Sequence, residues 1–390
     1  MMTPSPHSTP RRTFSVDTTS SGEPQASQLP APRRRRSWLI VPIALAVILA
    51  GIGGGLIGAS THQDLPPAVI EQARAPRSMS ALPAVASATE TADAAAVGAA
   101  VIPSIVTVEI GNASGDTFTQ AGSGSGVVLD ESGHIVTNHH VVEVGGVARI
   151  VLSDGRVYEA EFIGSDPLTD LAVLRVPTTD LIPITLGSTD DLVVGSPAIA
   201  VGSPLGLEGG PSLSVGVVSA LGREVQTGPD TILYGMIQTD APITSGSSGG
   251  SLVDETGMLI GITTAVGVSD IGVEGIGFAT PVEIVERVTN EIIATGSVSH
   301  GLLGISGATA YDETGDGGFV PVGVRVRSMS PDSPADAAGI VVDDVITAID
   351  GVAVLTMDEL ITALRRVGAG DSVSVSLQEG GPIAVTLATR

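Results

Sequence analysis

Short runs of β-branched and aliphatic residues, separated by turns containing glycine and aspartate, fill the middle of this 390-residue chain. The runs are too short for helices and have the length of strands. Ten of them are Ser104–Ile110, Gly126–Leu129, Ile135–Asn138, Ala148–Leu152, Glu159–Ile163, Ala172–Val176, Ala198–Val201, Leu213–Leu221, Met236–Thr239 and Leu259–Ala265. So many short strands at this spacing predict an all-β barrel or sandwich.

The C-terminal third has a different pattern. Val282–Thr295 shows the apolar spacing of a helix. A loop rich in glycine and aspartate, Asp312–Gly318, precedes a smaller unit that mixes strands with helices near 334–338 and 357–366. We therefore predict a small α+β domain after the β-rich one.

Composition excludes several classes of function. The chain has 42 acidic and 18 basic residues, a net charge of −24, and no cysteine. An acidic surface argues against general nucleic-acid binding. Without cysteine there is no disulfide framework, thiol nucleophile or cysteine-bound metal, and we expect neither a metal nor a cofactor. The charge is uneven, however: residues before position 60 carry a net +4 and the remainder −28.

The positive segment ends in four arginines, Arg33–Arg36, directly before an uncharged apolar stretch. As a helix, Trp38–Ala59 would span roughly 33 Å, enough for a hydrocarbon core of about 30 Å. We predict a transmembrane helix over 37–60, a disordered cytoplasmic tail over 1–36 and a linker over 61–95. A cleaved signal peptide and a buried core helix are the alternatives, but the long apolar stretch and the adjacent arginines favour a retained anchor. The positive-inside rule then places the rest of the chain outside the cytoplasm.

Three separate blocks carry residues suited to nucleophilic catalysis. His140 lies in Thr-Asn-His-His-Val-Val, Asp170 in Thr-Asp-Leu-Ala-Val-Leu, and Ser248 in Gly-Ser-Ser-Gly-Gly. A serine hydroxyl is a weak nucleophile at its free pKa, and an imidazole base is its usual activator. Glycines beside it allow a tight turn with backbone N–H donors close to the hydroxyl. The order His, Asp, Ser along the chain is that of chymotrypsin-type proteases.

With these blocks, residues 96–390 resemble the HtrA (DegP/DegS-like) family of trypsin-fold serine proteases. Further matching segments are Gly122–Val127, Gly202–Gly206, Val218–Arg223 and Gly275–Ala279. The resemblance implies a chymotrypsin-like double β-barrel protease domain over 96–297 and a small α+β PDZ domain over 298–390.

The resemblance also implies the roles of the site residues. Ser248 would attack the scissile carbonyl, His140 would transfer the proton, and Asp170 would hold the imidazole in place. The oxyanion hole would be formed by Gly246, Ser247 and Ser248, with the N–H groups of Gly246 and Ser248 as its donors. His139 and Ser247 stand where the family usually has asparagine, and we expect the His139 side chain to support the site or face solvent.

Ile243, Val266 and Gly267 match the positions that line the primary specificity pocket in the family. No acidic residue lies at these positions. The resemblance therefore implies a small or medium apolar residue, such as valine, alanine or leucine, before the cleaved bond.

The segment Leu302, Leu303, Gly304 and Ile305 resembles the carboxylate loop of a PDZ domain. Ser-Pro-Ala and Asp-Val-Ile blocks follow it, as in the domains that accompany HtrA proteases. Such a loop would bind a peptide C-terminus with its N–H groups while the next strand pairs with the peptide.

Together these features predict a membrane-anchored, extracytoplasmic serine endopeptidase that cleaves unfolded or specific envelope proteins by an acyl-enzyme mechanism. The predicted partners are protein substrates, peptide C-termini at the PDZ domain and the membrane, but no nucleic acid. The family resemblance also implies a homotrimer. Two alternatives remain open: a signalling protease that cuts a single partner, and a catalytically silent protease-PDZ scaffold or chaperone.

Overall fold

The computed structural model describes residues 93–115, 117–203, 210–229, 231–269 and 272–390, with backbone alone for 265–269 and 272–274. The predicted tail, the predicted transmembrane helix and nearly all of the predicted linker lie outside these residues. Among the helices in the described ranges, none combines the length and the hydropathy that crossing a membrane requires.

Strands dominate the described chain. The helices are α1 (Ala94–Val101), α2 (His139–Val142), α3 (Val282–Thr295), α4 (Pro334–Ala337) and α5 (Met357–Arg365). The strands of the N-terminal part are β1 (Ile105–Ser114), β2 (Thr117–Val128), β3 (His134–Thr137), β4 (Val147–Leu152), β5 (Val157–Asp166), β6 (Leu171–Arg175), β7 (Pro197–Gly202), β8 (Ser212–Gln226), β9 (Ile232–Thr239), β10 (Ser251–Val253), β11 (Leu259–Ser269) and β12 (Gly272–Pro281). Those of the C-terminal part are β13 (Gly301–Leu302), β14 (Ile305–Glu313), β15 (Phe319–Met329), β16 (Val345–Ile349), β17 (Val352–Ala353), β18 (Ser372–Leu377), β19 (Ile383–Thr386) and β20 (Ala388–Thr389).

The first twelve strands close into two barrels of six. The strand order is β1-β2-β3-β6-β5-β4 in the first barrel and β10-β11-β12-β9-β8-β7 in the second. Strand alternation places every second side chain inside: Ala148, Ile150 and Leu152 of β4 are buried while their neighbours are half-buried. The barrel predicted from the short apolar runs is confirmed, although β2 begins well before the predicted run at Gly126.

A separate apolar core joins the two barrels to the helices beside them. Ile105 and Val173 of the first barrel and Ile262 of the second belong to it, together with α1 and α3. On α3, the buried residues Val285, Val288, Thr289 and Ile292 follow the spacing of one helical face. This packing fixes the two barrels against each other, which matters because the catalytic blocks come from both.

The C-terminal strands form a second small unit. Strands β14, β15, β16, β18 and β19 make one sheet, with β17 paired to β16, and β13 pairs with β20. Its core includes Leu303, Ile346, Leu360 and Val375. The mixture of strands and helices agrees with the predicted α+β domain.

Two predicted boundaries need correction. Residues 312–318 do not precede this unit: Asp312 and Glu313 end β14, and the rest forms the hairpin turn into β15, where Thr314 N–H donates to Gly318 O at 2.8 Å. The mistake arose because a polar hairpin turn and an interdomain loop have the same composition. Helix α1 starts at Ala94, capped by the Asp93 carboxylate, so this helix begins two residues before the boundary predicted at 96.

Candidate active site

His140 and Asp170 form a close side-chain pair in a cleft lined by residues of both barrels. His140 lies on α2 and Asp170 on the loop between β5 and β6. His140 Nδ1 is 2.6 Å from Asp170 Oδ2, and the backbone N–H of His140 donates to Asp170 Oδ1 at 2.9 Å. The Asp170 side chain is 8% exposed and that of His140 is 42% exposed. A buried carboxylate therefore holds an imidazole whose other nitrogen faces the cleft.

The backbone of Asp170 has a rare conformation, which hydrogen bonds from neighbouring residues hold in place. Its φ is +55°, an angle that residues other than glycine rarely adopt. Three groups hold the loop there: Asp170 O accepts from His139 N–H at 3.1 Å and from Asn138 Nδ2 at 2.8 Å, in addition to the bonds to His140. Strain of this kind persists only where surrounding contacts determine it, and it is concentrated at functional sites.

The pKa of His140 is raised above its ordinary value. Burial acts to lower the pKa, but the hydrogen bond and the charge of Asp170, with a smaller effect of Glu143, outweigh it. The imidazole is therefore a stronger base than a free histidine, which suits proton abstraction from a hydroxyl.

Ser248 comes from the second barrel, on the loop that leads into β10. Its hydroxyl donates to the Thr264 carbonyl at 3.3 Å. Asn138, two residues before His140, donates a hydrogen bond from its Nδ2 to Thr264 Oγ1 at 3.2 Å. No hydrogen bond links Ser248 Oγ to His140 Nε2, and both residues lie in the described ranges. Catalytic hydrogen bonds in unliganded enzymes are often formed only when substrate binds.

Ser125 on β2 supports the loop that carries Ser248. Its N–H donates to Ser248 O at 2.7 Å, and its hydroxyl donates to Gly246 O at 2.7 Å. The same hydroxyl accepts the N–H of Ser203 at 2.7 Å. Ser125 thus joins both barrels at the nucleophile loop. Sequence reasoning missed it, because its partners are distant in sequence and the Gly-Ser-Gly-Ser-Gly segment gives no sign of them.

Gly249 shows why the loop needs glycine. Its φ is +85°, and a Cβ at this position would lie 2.1 Å from Ser125 O. Thr263 completes the frame: its hydroxyl donates to Ser247 O at 2.6 Å, and its carbonyl accepts from Gly249 N–H at 2.8 Å. The backbone around Ser248 is therefore held on both sides.

Of the three residues in the predicted oxyanion hole, Ser247 has its amide engaged elsewhere. Ser247 N–H donates to Thr244 O at 2.9 Å, closing a turn, so it is not available to an oxyanion. The N–H groups of Gly246 and Ser248 have no acceptor among the described residues. Those two amides remain the candidate donors, and Gly246 has the positive φ of +90° that a tight turn requires.

The predicted primary pocket is described only in part. Ile243 is 5% exposed, whereas Val266 and Gly267 lie on β11 with only their backbone described. Gly277, which pairs with Val266, lies against Ile243: a Cβ on Gly277 would be 2.5 Å from Ile243 Cδ1. Gly277 therefore adjoins Ile243 of the predicted pocket, a contact that sequence reasoning did not single out, although the Gly-Ile-Gly-Phe-Ala match contains Gly277.

His139 turns away from the pair formed by His140 and Asp170. Its Nδ1 is 2.9 Å from Ser165 Oγ, and its Nε2 is 3.7 Å from Glu143 Oε2. It packs beside the site, as expected. In the described ranges, no group of three or more His, Asp or Glu side chains is arranged to hold a metal ion.

The loop Leu302–Ile305 lines a groove. Helix α5 lines the groove on one side, and Pro167, Leu168, Ile232 and Tyr234 of the barrels line it on another. The carbonyls of Leu303 and Gly304 accept from Ala335 and Ser330, but their N–H groups have no acceptor among the described residues. Gly304 has a φ of +78°, and a Cβ there would lie 2.4 Å from Ser333 Cβ.

A buried contact ties this groove to the protease site. His300 lies two residues before Leu302. Its Nε2 is 2.8 Å from Asp166 Oδ2, and both side chains are 4% exposed. Arg287 donates to His300 Nδ1 at 3.2 Å, which makes Nε2 the protonated nitrogen. Burial acts to raise the pKa of Asp166, but His300 and Thr169 outweigh it and lower the pKa.

Comparison with known proteins agrees with this geometry. Residues 124–262 match the model of the trypsin-like peptidase domain, and residues 325–379 match that of the PDZ domain. The serine protease PepD of Mycobacterium tuberculosis is 34% identical over 369 residues, which cover 86% of this chain and 74% of that protein. The periplasmic serine endoprotease DegP of Escherichia coli is 37% identical over 276 residues, covering 70% of this chain and 57% of DegP. The chain thus spans little more than half the length of DegP.

Solved structures give the same result. An HtrA-type protease AlgW with a tripeptide superposes with a TM-score of 0.59 at 31% identity, covering 76% of this chain and 97% of that chain. A serine endoprotease from Yersinia pestis superposes with a TM-score of 0.53 at 31% identity, covering 76% and 98%. The protein is therefore a member of the HtrA family: a serine endopeptidase with a trypsin-like protease domain and a PDZ domain.

Proposed function

We propose that Ser248, His140 and Asp170 are the catalytic triad of this protease. Ser248 Oγ attacks the scissile carbonyl carbon while His140 Nε2 takes the hydroxyl proton. Asp170 keeps the Nδ1–H tautomer and stabilises the imidazolium. The proton then passes to the leaving amine, and the acyl-enzyme is hydrolysed by a water molecule that His140 deprotonates in turn.

The N–H groups of Gly246 and Ser248 stabilise the negative oxygen of the tetrahedral intermediate. A preorganised donor of this kind contributes about 2.7–4 kcal/mol to transition-state stabilisation. The frame made by Ser125 and Thr263 supports this role, because it fixes the carbonyls of Gly246, Ser247 and Ser248 and with them the backbone that carries both N–H groups.

The observation that carries the proposal is the 2.6 Å contact between His140 and the buried Asp170, in a cleft also lined by Thr264, whose carbonyl accepts from the Ser248 hydroxyl. Its test is hydrolysis of unfolded casein by the full chain in detergent, compared with Ser248→Ala. We expect hydrolysis to fall by at least about 10⁴-fold in the variant, with an unchanged melting temperature. Ser251→Ala, three residues along and outside the triad, is the matched control and should retain activity. Full activity in Ser248→Ala would exclude the proposal.

The proposed setting is extracytoplasmic and membrane-anchored, with unfolded or specific envelope proteins as substrates. Arg33–Arg36 and the 22-residue apolar stretch Trp38–Ala59 support the anchor and its orientation. Protease added to intact cells or spheroplasts should digest the region after residue 60 and leave a tag at the N-terminus intact. Release of the full chain into the soluble fraction, or protection of its C-terminal part, would contradict the anchor.

We further propose that the groove beside Leu302, Leu303, Gly304 and Ile305 binds peptide C-termini, and that the enzyme works as a homotrimer. The free N–H groups of Leu303 and Gly304 support the first part. The primary pocket around Ile243 and Gly277 would accept a small or medium apolar side chain before the cleaved bond. Mass-spectrometric cleavage profiles of casein test that specificity.

A further inference from the structure

Two arginines lie in the groove beside the loop Leu302–Ile305. The groove has a volume of about 560 Å³, and Arg365, at the end of α5, and Arg390, which follows β20, both line it. Arg390 N–H donates to His300 O at 3.0 Å, next to the pairing of β13 with β20. The groove is therefore lined by two guanidinium groups in a chain whose net charge is −24.

Arg365 is a largely buried residue whose guanidinium is not paired with a carboxylate among the described residues. It is 7% exposed, and its guanidinium makes neither an ion pair nor a hydrogen bond to any residue in the described ranges. Other arginines in the same ranges do pair with acids: Arg156 with Asp154 and Arg287 with Glu291. Burial, and next the charge of Arg390, lower the pKa of Arg365 to about 10, so it remains positive at neutral pH.

A guanidinium that lines a groove without a paired carboxylate is available to bind an anion there. Guanidinium groups bind carboxylates with two parallel hydrogen bonds, which makes a carboxylate the natural complement. The remainder of the groove is apolar, lined by Leu303, Leu360 and Leu364 among others. It can therefore bury an aliphatic side chain beside the anion.

One α-carboxylate carries a single negative charge, which does not balance the charges of the two guanidinium groups that line the groove. The free N–H groups of Leu303 and Gly304 already suffice for the terminal carboxylate of a peptide, and the two guanidinium groups add further positive charge. We infer that the groove selects peptide C-termini that carry an acidic side chain in one of their last two residues. The inference rests on the proposed binding of peptide C-termini and names the sequence class of the ligand.

The experiment measures peptide binding by fluorescence anisotropy, using the full chain in detergent with Ser248→Ala to prevent cleavage. The labelled decapeptides share one sequence and end in Glu-Val, Gln-Val, Val-Glu or Val-Gln. Each is also made with a C-terminal amide. We expect at least one glutamate peptide to bind on the order of tenfold more tightly than its glutamine match.

Variants locate the source of this preference. Arg365→Gln and Arg390→Gln should each reduce the glutamate preference to below about threefold, whereas Arg327→Gln, an exposed arginine on β15, should keep it. If Arg365→Gln lowers the melting temperature, its binding data are set aside and Arg390→Gln tests the inference. Equal binding of glutamate and glutamine peptides, with the amides still discriminated against, overturns this inference alone. A preference that survives in both arginine variants overturns it too. If peptides with a free C-terminal carboxylate and their C-terminally amidated forms bind equally, the proposed recognition of C-termini is overturned, and this inference with it.

Discussion

Asp170 combines a rare backbone angle with two hydrogen bonds to His140, so its role can be tested without changing the shape of the site. Asp170→Asn keeps the volume but presents an N–H where His140 needs an acceptor, which favours the wrong imidazole tautomer. We expect kcat on a peptide substrate to fall about 10⁴-fold. Asp191→Asn, an exposed aspartate away from the cleft, is the control. A loss below tenfold would mean that Asp170 does not set the tautomer.

The raised pKa of His140 predicts the pH dependence of the enzyme. The base must be neutral, so kcat/KM should rise with pH through a pKa above 6.5 in the free enzyme. Glu143 contributes to the raised pKa, and Glu143→Gln should therefore move the rise to lower pH by a fraction of a unit. Glu159→Gln, an exposed glutamate on β5, should leave the profile unchanged. A shift to higher pH in Glu143→Gln would contradict this electrostatic account.

At the scale of elements, β2 and the nucleophile loop depend on each other through Ser125. Ser125→Ala leaves Gly246 O and Ser203 N–H without their side-chain partner in a buried place. We expect the free energy of unfolding to fall by about 1–3 kcal/mol. We also expect kcat to fall, so that kcat/KM decreases by a larger factor than KM increases. Ser123→Ala, on the same face of β2, is the matched control. Unchanged kcat/KM in Ser125→Ala would show that the loop does not need this support.

Sequence reasoning was most successful for local patterns. The short β-branched runs predicted most strands, and α3 was predicted from the spacing of its apolar residues, because both signals are periodic along the chain. The order of the catalytic blocks along the chain was evident from the sequence, but the other residues that contact them could not be predicted. Ser125, Thr264 and Gly277 make those contacts with residues far from them in sequence. The turn that Ser247 N–H closes on Thr244 O could not be predicted, because it depends on backbone orientation, which residue type does not determine.

At the scale of the whole molecule, the His300–Asp166 contact joins the PDZ domain to the loop that ends in Asp170. Asp166→Asn should lower the free energy of unfolding at pH 7 by about 1–3 kcal/mol. The pKa of Asp166 is lowered on folding, so the contribution is present above its unfolded pKa and is lost as the pH falls through its folded pKa. The difference between the variant and the unmodified protein should therefore shrink below pH 3.8.

Urea denaturation at a series of pH values measures this difference. Asp180→Asn, at an exposed position whose carboxylate pairs with Arg156 at the surface, is the control. If the difference between Asp166→Asn and the unmodified protein grew at acid pH, the sign of the coupling would be wrong. If the variant also lost protease activity while remaining folded, the contact would link the PDZ domain to the active site functionally as well as structurally.

The central claim is that Ser248 is the nucleophile, activated by His140. Reaction of the full chain with a fluorophosphonate, followed by peptide mass spectrometry, tests it most directly. We predict one adduct, on Ser248, that is absent in Ser248→Ala and slowed at least about 10³-fold in His140→Ala. An adduct on Ser247 or on any other serine, or no adduct from a preparation that hydrolyses casein, would contradict the claim.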